Sequence, residues 1–230
     1  MALWYFTRAS GAVSLVLLTL TLVLGVVDVN RWFSPRFPRF LVDGIHRMVS
    51  LLVVVFVALH VLTAVLDSFA PVSLADAVIP FGSAYRPIWL GLGAVAFDLL
   101  LALVVTSLLR ARLGLRAWRI VHWLAYACWP FALVHGLGSG SDVRAGWLLW
   151  LSIGCAATVA AAVLARAGVA VPRQAALAGT GTALAVAALA LVIWLPSGPM
   201  ASGWARRSGT PSSVLKPPPA TRSARAVRHG

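Results

Sequence analysis

Charge is scarce in this chain, and acidic charge scarcer still. Of 230 residues, 11% are charged, with six Asp and Glu against 19 Lys and Arg, and Lys216 is the one lysine. A solvated globular domain carries roughly a quarter charged residues, so that class is excluded. Cysteine is nearly absent: Cys128 and Cys155 form no C-x-x-C spacing of a redox or zinc site. Both fall in apolar stretches and read as small apolar side chains. The basic residues gather in short loops between apolar runs, as orientation signals do. The net charge of +13 is therefore not a nucleic-acid footprint.

Apolar runs fill the space that charge leaves. Sixty per cent of the residues are hydrophobic, and six stretches approach or exceed the roughly 20 residues a bilayer crossing requires. They lie at about 4–27, 41–66, 88–109, 118–137, 147–165 and 175–195. The expected fold is all-α, an integral membrane bundle of six transmembrane helices, multi-pass in the cell membrane. The first stretch is too long for a signal peptide, and VLGVVDVN offers no A-x-A-like cleavage site. It reads as the first span, with Trp4 and Tyr5 as interfacial anchors. From Pro196 the composition turns to Ser, Pro, Gly and Arg, ending in KPPPATRSARAVRHG. Such a sequence has little to bury, which predicts a disordered basic tail over 196–230.

The arginines give an orientation. The loops at 28–40, 110–119 and 166–174, together with Arg47, hold ten arginines: Arg31, Arg36, Arg39, Arg47, Arg110, Arg112, Arg116, Arg119, Arg166 and Arg173. The opposite side has Arg8, Arg86 and Arg144 plus the tail. Short-loop arginines mark the cytoplasmic face, which places the N-terminus and the tail outside and makes the second and fourth spans parallel.

Those two spans hold four of the five histidines. FLVDGIHRMVSLLVVVFVALHVLTAVL (40–66) carries His46 and His60, 14 residues apart; WRIVHWLAYACWPFALVHG (118–136) carries His122 and His135, 13 apart. At 1.5 Å per residue each pair spans roughly 20 Å, so one imidazole lies near each face in both helices. Ionisable groups in a span are costly and mark function. An isolated intramembrane histidine is accounted for by a helix–helix hydrogen bond; four at matched depths on parallel helices suit two haems, each iron gripped from both sides. The phase is less regular than the depth. Fourteen residues return to within about 40° of the starting face, whereas thirteen fall about 140° away. Pro130 lies between His122 and His135, and local overwinding beside it would bring both rings to one face.

His-x13-His on one span and His-x12-His two spans later, with basic loops on one side, resembles the ferric reductase-like transmembrane domain. That family includes NADPH oxidases, iron reductases and the haem subunit of the bacterial methionine sulfoxide reductase system. The resemblance covers roughly residues 8 to 165. It implies two haem b groups, an inner one between His46 and His122 and an outer one between His60 and His135. The oxidases and iron reductases continue into a flavin and nicotinamide dehydrogenase domain after the last span. Here a sixth span and the tail follow instead, and GLGSGSDVRAG is not a strand-G-x-G-x-x-G-helix unit. The expectation is an oxidoreductase component that needs a partner: a cytoplasmic flavoprotein or membrane quinol as donor, and an outer acceptor that the residues do not name.

Arg47, Arg116 and Arg119 stand where inner haem propionates would project, and forked guanidinium suits a carboxylate; they serve equally as positive-inside residues. Asp98, midway along the third span, reads as a helix–helix hydrogen-bonding residue or a proton relay. Trp123, Trp129 and Phe131 flank the second histidine pair and read as packing and interfacial anchors. A haem subunit dedicated to a periplasmic reductase is the alternative within redox chemistry. A non-redox small-molecule transporter or scaffold is the alternative outside it, but broken helices and inverted repeats about a midplane site are not evident in the pattern.

Overall fold

The computed structural model describes residues 2–32, 38–140 and 142–215. Arg36 of the first basic loop lies outside the described residues, as does the tail from 216 to 230. The described residues are helical, without a strand. In order the helices are α1 (Ala2–Val29), α2 (Arg39–Leu66), α3 (Leu74–Val78), α4 (Pro87–Leu108), α5 (Arg110–His122), α6 (Ala125–Ser139), α7 (Trp147–Ala167), α8 (Arg173–Ser197), α9 (Trp204–Arg207) and α10 (Ser212–Leu215). Five helices are long and apolar enough to cross a membrane, and α5 with α6 makes a sixth crossing if the bent pair counts as one.

In a bilayer each backbone N–H and C=O must be satisfied within its own helix, and the hydroxyl side chains follow the same rule. Ser10, Ser14, Thr19, Thr21, Ser50, Thr63 and Thr106 each donate to the carbonyl four residues earlier. Helix boundaries follow local sequence. Pro38 and Pro172 precede α2 and α8, and Pro87 opens α4 at a position where its missing N–H costs nothing. Between α2 and α4, Ser73 and Asp76 form a reciprocal capping box that starts α3.

Helix α1 is the centre of the bundle. It packs against α2, α6 and α7, while α4 packs along α6 and α8 leans on α7, with Trp194 stacked on Trp89 of α4. The core joins Leu15, Leu22 and Val26 of α1 to Trp129, Leu133 and Leu137 of α6 and to Cys155, Val159 and Ala162 of α7. Trp129 is buried as the packing residue expected, and its indole N–H donates to Thr19 Oγ1 at 2.9 Å. Phe131 is half-buried on the same helix, and exposed Trp123 packs its ring against Tyr126. Both cysteines are buried and free, with Cys128 Sγ donating to Ala96 O.

Two features depart from the sequence reading. The fourth span is not one helix: α5 and α6 meet at a 45° bend, and within α5 Gly114 leaves the helical region at φ 78°, ψ 159°. At the bend the amides of Leu124, Tyr126 and Ala127 bond to the carbonyls of Val121, Trp123 and Leu124, three residues back. This is overwound, 3₁₀-like chain, one turn before Pro130, whose ring crowds the Tyr126 carbonyl. Five residues wound at about 120° instead of 100° reduce the nominal 140° offset between His122 and His135 to about 40°.

The tail boundary also moves. Composition assigned 196–215 to the disordered tail, but α8 runs on to Ser197 and the chain then folds back through α9 and α10. Ser208 and Thr210 are buried there. Polar side chains and two tryptophans fix this stretch, which a count of aliphatic residues does not register.

Replacing Thr19 by Val leaves the buried Trp129 N–H without a partner. The expected cost is about 1 kcal/mol, read as a fall of about 2–4 °C in thermal unfolding in detergent, with Thr19→Ser close to wild type.

Candidate functional site: two facing histidine pairs

Each ligand-type histidine of α2 faces one of α5–α6. The ring centres of His46 and His122 are 6.4 Å apart, and those of His60 and His135 are 6.1 Å apart. The pairing is level with level, as expected of parallel helices. Because α2 packs along α1 rather than along α6, the histidine rings are what reach across the gap between α2 and α5–α6.

Glycines make the room. Gly11 and Gly25 of α1 lie beside His60 and His46, and Gly93 of α4 lies beside His135. A Cβ at Gly11 would come within 2.9 Å of His60 Nδ1, and one at Gly93 within 2.5 Å of His135 Nδ1. Contacts that short are not tolerated without moving the ring, so these positions set how close α1 and α4 approach the imidazoles.

The two levels hold their rings differently. His60 Nδ1 lies 2.7 Å from Thr7 O, and His135 Nδ1 lies 2.8 Å from Trp89 O. A carbonyl can only accept, so in both residues Nδ1 carries the proton and Nε2 keeps its lone pair. At the other level, His46 Nδ1 and His122 Nδ1 are buried without a close hydrogen-bond partner; the Thr21 carbonyl of α1 stands beside His46, and among the described residues no such carbonyl stands beside His122. His122 is instead stacked on Trp118 (4.7 Å between ring centres, 27° between planes), and the Arg110 guanidinium lies 4.9 Å from the Trp118 ring centre on that aromatic group.

The chemistry of this donor set can be tested against an iron porphyrin. A metal–imidazole nitrogen bond is about 2 Å, and a ring centre lies about 1.1 Å behind its nitrogen. Two imidazoles on opposite sides of one metal therefore have centres roughly 6 Å apart, the spacing of both pairs. Among the described residues no group of three or more His, Cys, Asp or Glu is gathered into a metal cage; a porphyrin supplies four nitrogens itself and asks the protein for two. No Nε2 of the four histidines is engaged in a hydrogen bond among the described residues. The residues fit the group.

The other candidates divide. Arg47, Arg116 and Arg119 are exposed and make no ion pair among the described residues. They lie near the His46/His122 level by sequence, one, six and three residues from its histidines. Asp98 is half-buried in α4 without a hydrogen-bond partner among the described residues, so the helix–helix bond expected of it is not made. The residues that sequence reasoning did not single out are Thr7, Gly11, Gly25, Trp89, Gly93 and Trp118. One signal for them was present: Gly11 and Gly25 are 14 residues apart, the spacing of His46 and His60.

Gly93→Val is expected to displace the His135 ring and break its bond to Trp89 O. In histidine-labelled protein the ¹⁵N resonance of one Nδ1–H would be lost from the hydrogen-bonded region, while that of His60 stays.

The family described as ferric reductase like transmembrane component matches residues 10–133. That match takes in α1 from residue 10, α2 to α5 and α6 as far as residue 133, with His46, His60 and His122, and ends two residues before His135. No curated protein and no solved structure matches the chain. The match spans more than half of the chain, and the protein belongs to the ferric reductase like transmembrane component family, whose members typically bind haem and whose fold suggests electron transfer across a membrane.

Proposed function

We propose that this member of the family carries electrons one at a time across the membrane on two b-type haems. His46 and His122 would hold one haem, and His60 and His135 the other. The observation that carries the reading is the pair of imidazole spacings, 6.4 and 6.1 Å, at two depths on parallel helices. When bound, each haem supplies reversible one-electron iron chemistry.

The chain's own residues do the rest. Thr7 O and Trp89 O fix the tautomer and plane of His60 and His135 by accepting their Nδ1–H, as carbonyls do behind metal-bound imidazoles. Gly11 and Gly93 keep α1 and α4 clear of the His60 and His135 rings. Helix α1, packed against both α2 and α6, sets the width of the slot. A haem held by two histidines would have no position left for a substrate, so the chemistry it would supply is electron transfer rather than binding at the metal. Arg47, Arg116 and Arg119 lie at the end of the bundle where the propionates of the His46/His122 haem would emerge, and exposed guanidinium groups there are free to pair with them.

The basic end, with the loops at 110–119 and 166–174, is the cytoplasmic one in this reading. Electrons would enter there from a separate donor, a flavoprotein or a membrane quinol, and leave at the opposite end to an acceptor or partner protein. Service to a dedicated reductase partner differs only in the identity of that acceptor.

Purified protein is expected to show b-type bands in its dithionite-reduced minus oxidised spectrum, at about two haems per chain. His135→Leu and His46→Leu should each remove about one. Retention of both haems in either variant overturns the assignment. Replacing Arg47, Arg116 and Arg119 together by Gln should leave two haems bound but shift the potential of the His46/His122 component alone.

A further inference from the structure

Residues 198–215 fold over the end of the bundle that bears His60 and His135, and their contacts converge on the surroundings of one histidine. Arg86 caps α4 in the left-handed region, φ 45°, ψ 59°, a conformation that is strained for a side-chain-bearing residue. Its side chain is buried, 5% exposed, and has no carboxylate partner among the described residues. Buried charge persists where hydrogen bonds hold it. Here Nε donates to Thr210 Oγ1 at 3.0 Å, a terminal nitrogen donates to Ser139 O at 2.6 Å, and the backbone N–H donates to Gly209 O at 3.1 Å. Two of those three partners belong to the folded-back segment.

One turn further along α4, Trp89 offers its carbonyl to His135. Its indole stacks on Trp194 at 5.1 Å and tilts against Trp204 at 5.2 Å. Trp204 Nε1 in turn donates to Gly138 O at 2.9 Å. Gly138 lies three residues after His135, and a Cβ there would run into the Trp89 ring. Trp89, whose carbonyl orients His135, is thus held by the C-terminal segment directly through Trp204, while Arg86, three residues earlier, ties the start of the same helix to Gly209 and Thr210.

We propose that residues 198–215 are a working part of the His60/His135 level: Trp204 and Arg86, acting through Trp89, are positioning residues that fix the His135 imidazole. This rests on the two-haem reading above. A ligating imidazole whose far N–H donates to a firmly placed carbonyl is more basic and favours the oxidised metal. Outer partners of this kind change metal affinity by about 10–100-fold when lost. Loosening Trp89 therefore raises the potential of that level and weakens its hold on haem, and leaves the His46/His122 level as it was.

The test is a potentiometric titration of haem absorbance in the full-length protein in nanodiscs. Two one-electron components are expected, and His135→Leu identifies the one belonging to its level. Trp204→Ala should move that component to higher potential and speed haem loss from that level about tenfold, with the other component unmoved. Trp204→Phe, which keeps a ring against Trp89, should restore most of the shift. Should Trp204→Ala not fold, Thr210→Val decides: it removes only the acceptor of Arg86 Nε, and a smaller shift of the same component in the same direction is expected. Components that stay in place in the folded variant, or move together, overturn the proposal. Wild-type protein without haem overturns the parent reading instead.

Discussion

An imidazole in hydrocarbon is costly unless its nitrogens are engaged, and four of them on two helices set the terms for the whole bundle. Helix α2 does not close on α5 and α6, because their histidine rings stand in the gap, inclined by 59° at one level and 85° at the other. The remaining helices compensate. Helix α1 bridges the two, using glycine where a ring must pass and Leu15, Leu22 and Val26 where it packs on α6 and α7. Helix α4 repeats the arrangement on the far side of α6, with Gly93 beside His135 and the Ala96 carbonyl beside Cys128.

The two levels solve the same problem by different means. Thr7 and Trp89 give carbonyls to the rings of one level, at the cost of two helix carbonyls that then serve two donors. At the other level the Thr21 carbonyl of α1 stands beside His46, whereas His122 relies on the face of Trp118, itself backed by Arg110. A stacked ring constrains the plane of His122 but takes no proton from it. His122 is therefore held unlike the other three, despite the similar spacing of the two pairs.

Much of this was legible in the sequence. Apolar run length gave the spans, because lipid forces continuous helix, and the four histidines identified themselves by being expensive. Depth was readable from residue counts; facing was not. The 13-residue spacing predicts misaligned rings on a regular helix, and only the overwound turn at 123–127 corrects it. Pro130 pointed to that region without locating the turn. The fold of 198–215 was missed for a different reason. Its order comes from Arg86, Thr210, Trp194 and Trp204, which are distant in sequence and contribute few aliphatic atoms, so composition reads the stretch as having nothing to bury. The carbonyls of Thr7 and Trp89 have no side-chain signature at all.

The packing of 198–215 against Trp89 and Arg86 also has a meaning for biogenesis. A chain emerges N-terminus first, and helices become available in that order. The surroundings of His46 and His122 come from residues made by the time α6 is complete. Those of His135 wait for α8 to insert and for Trp204 and Thr210 to fold back onto α4 and α6. One half of the molecule can mature before α8 is made; the other cannot.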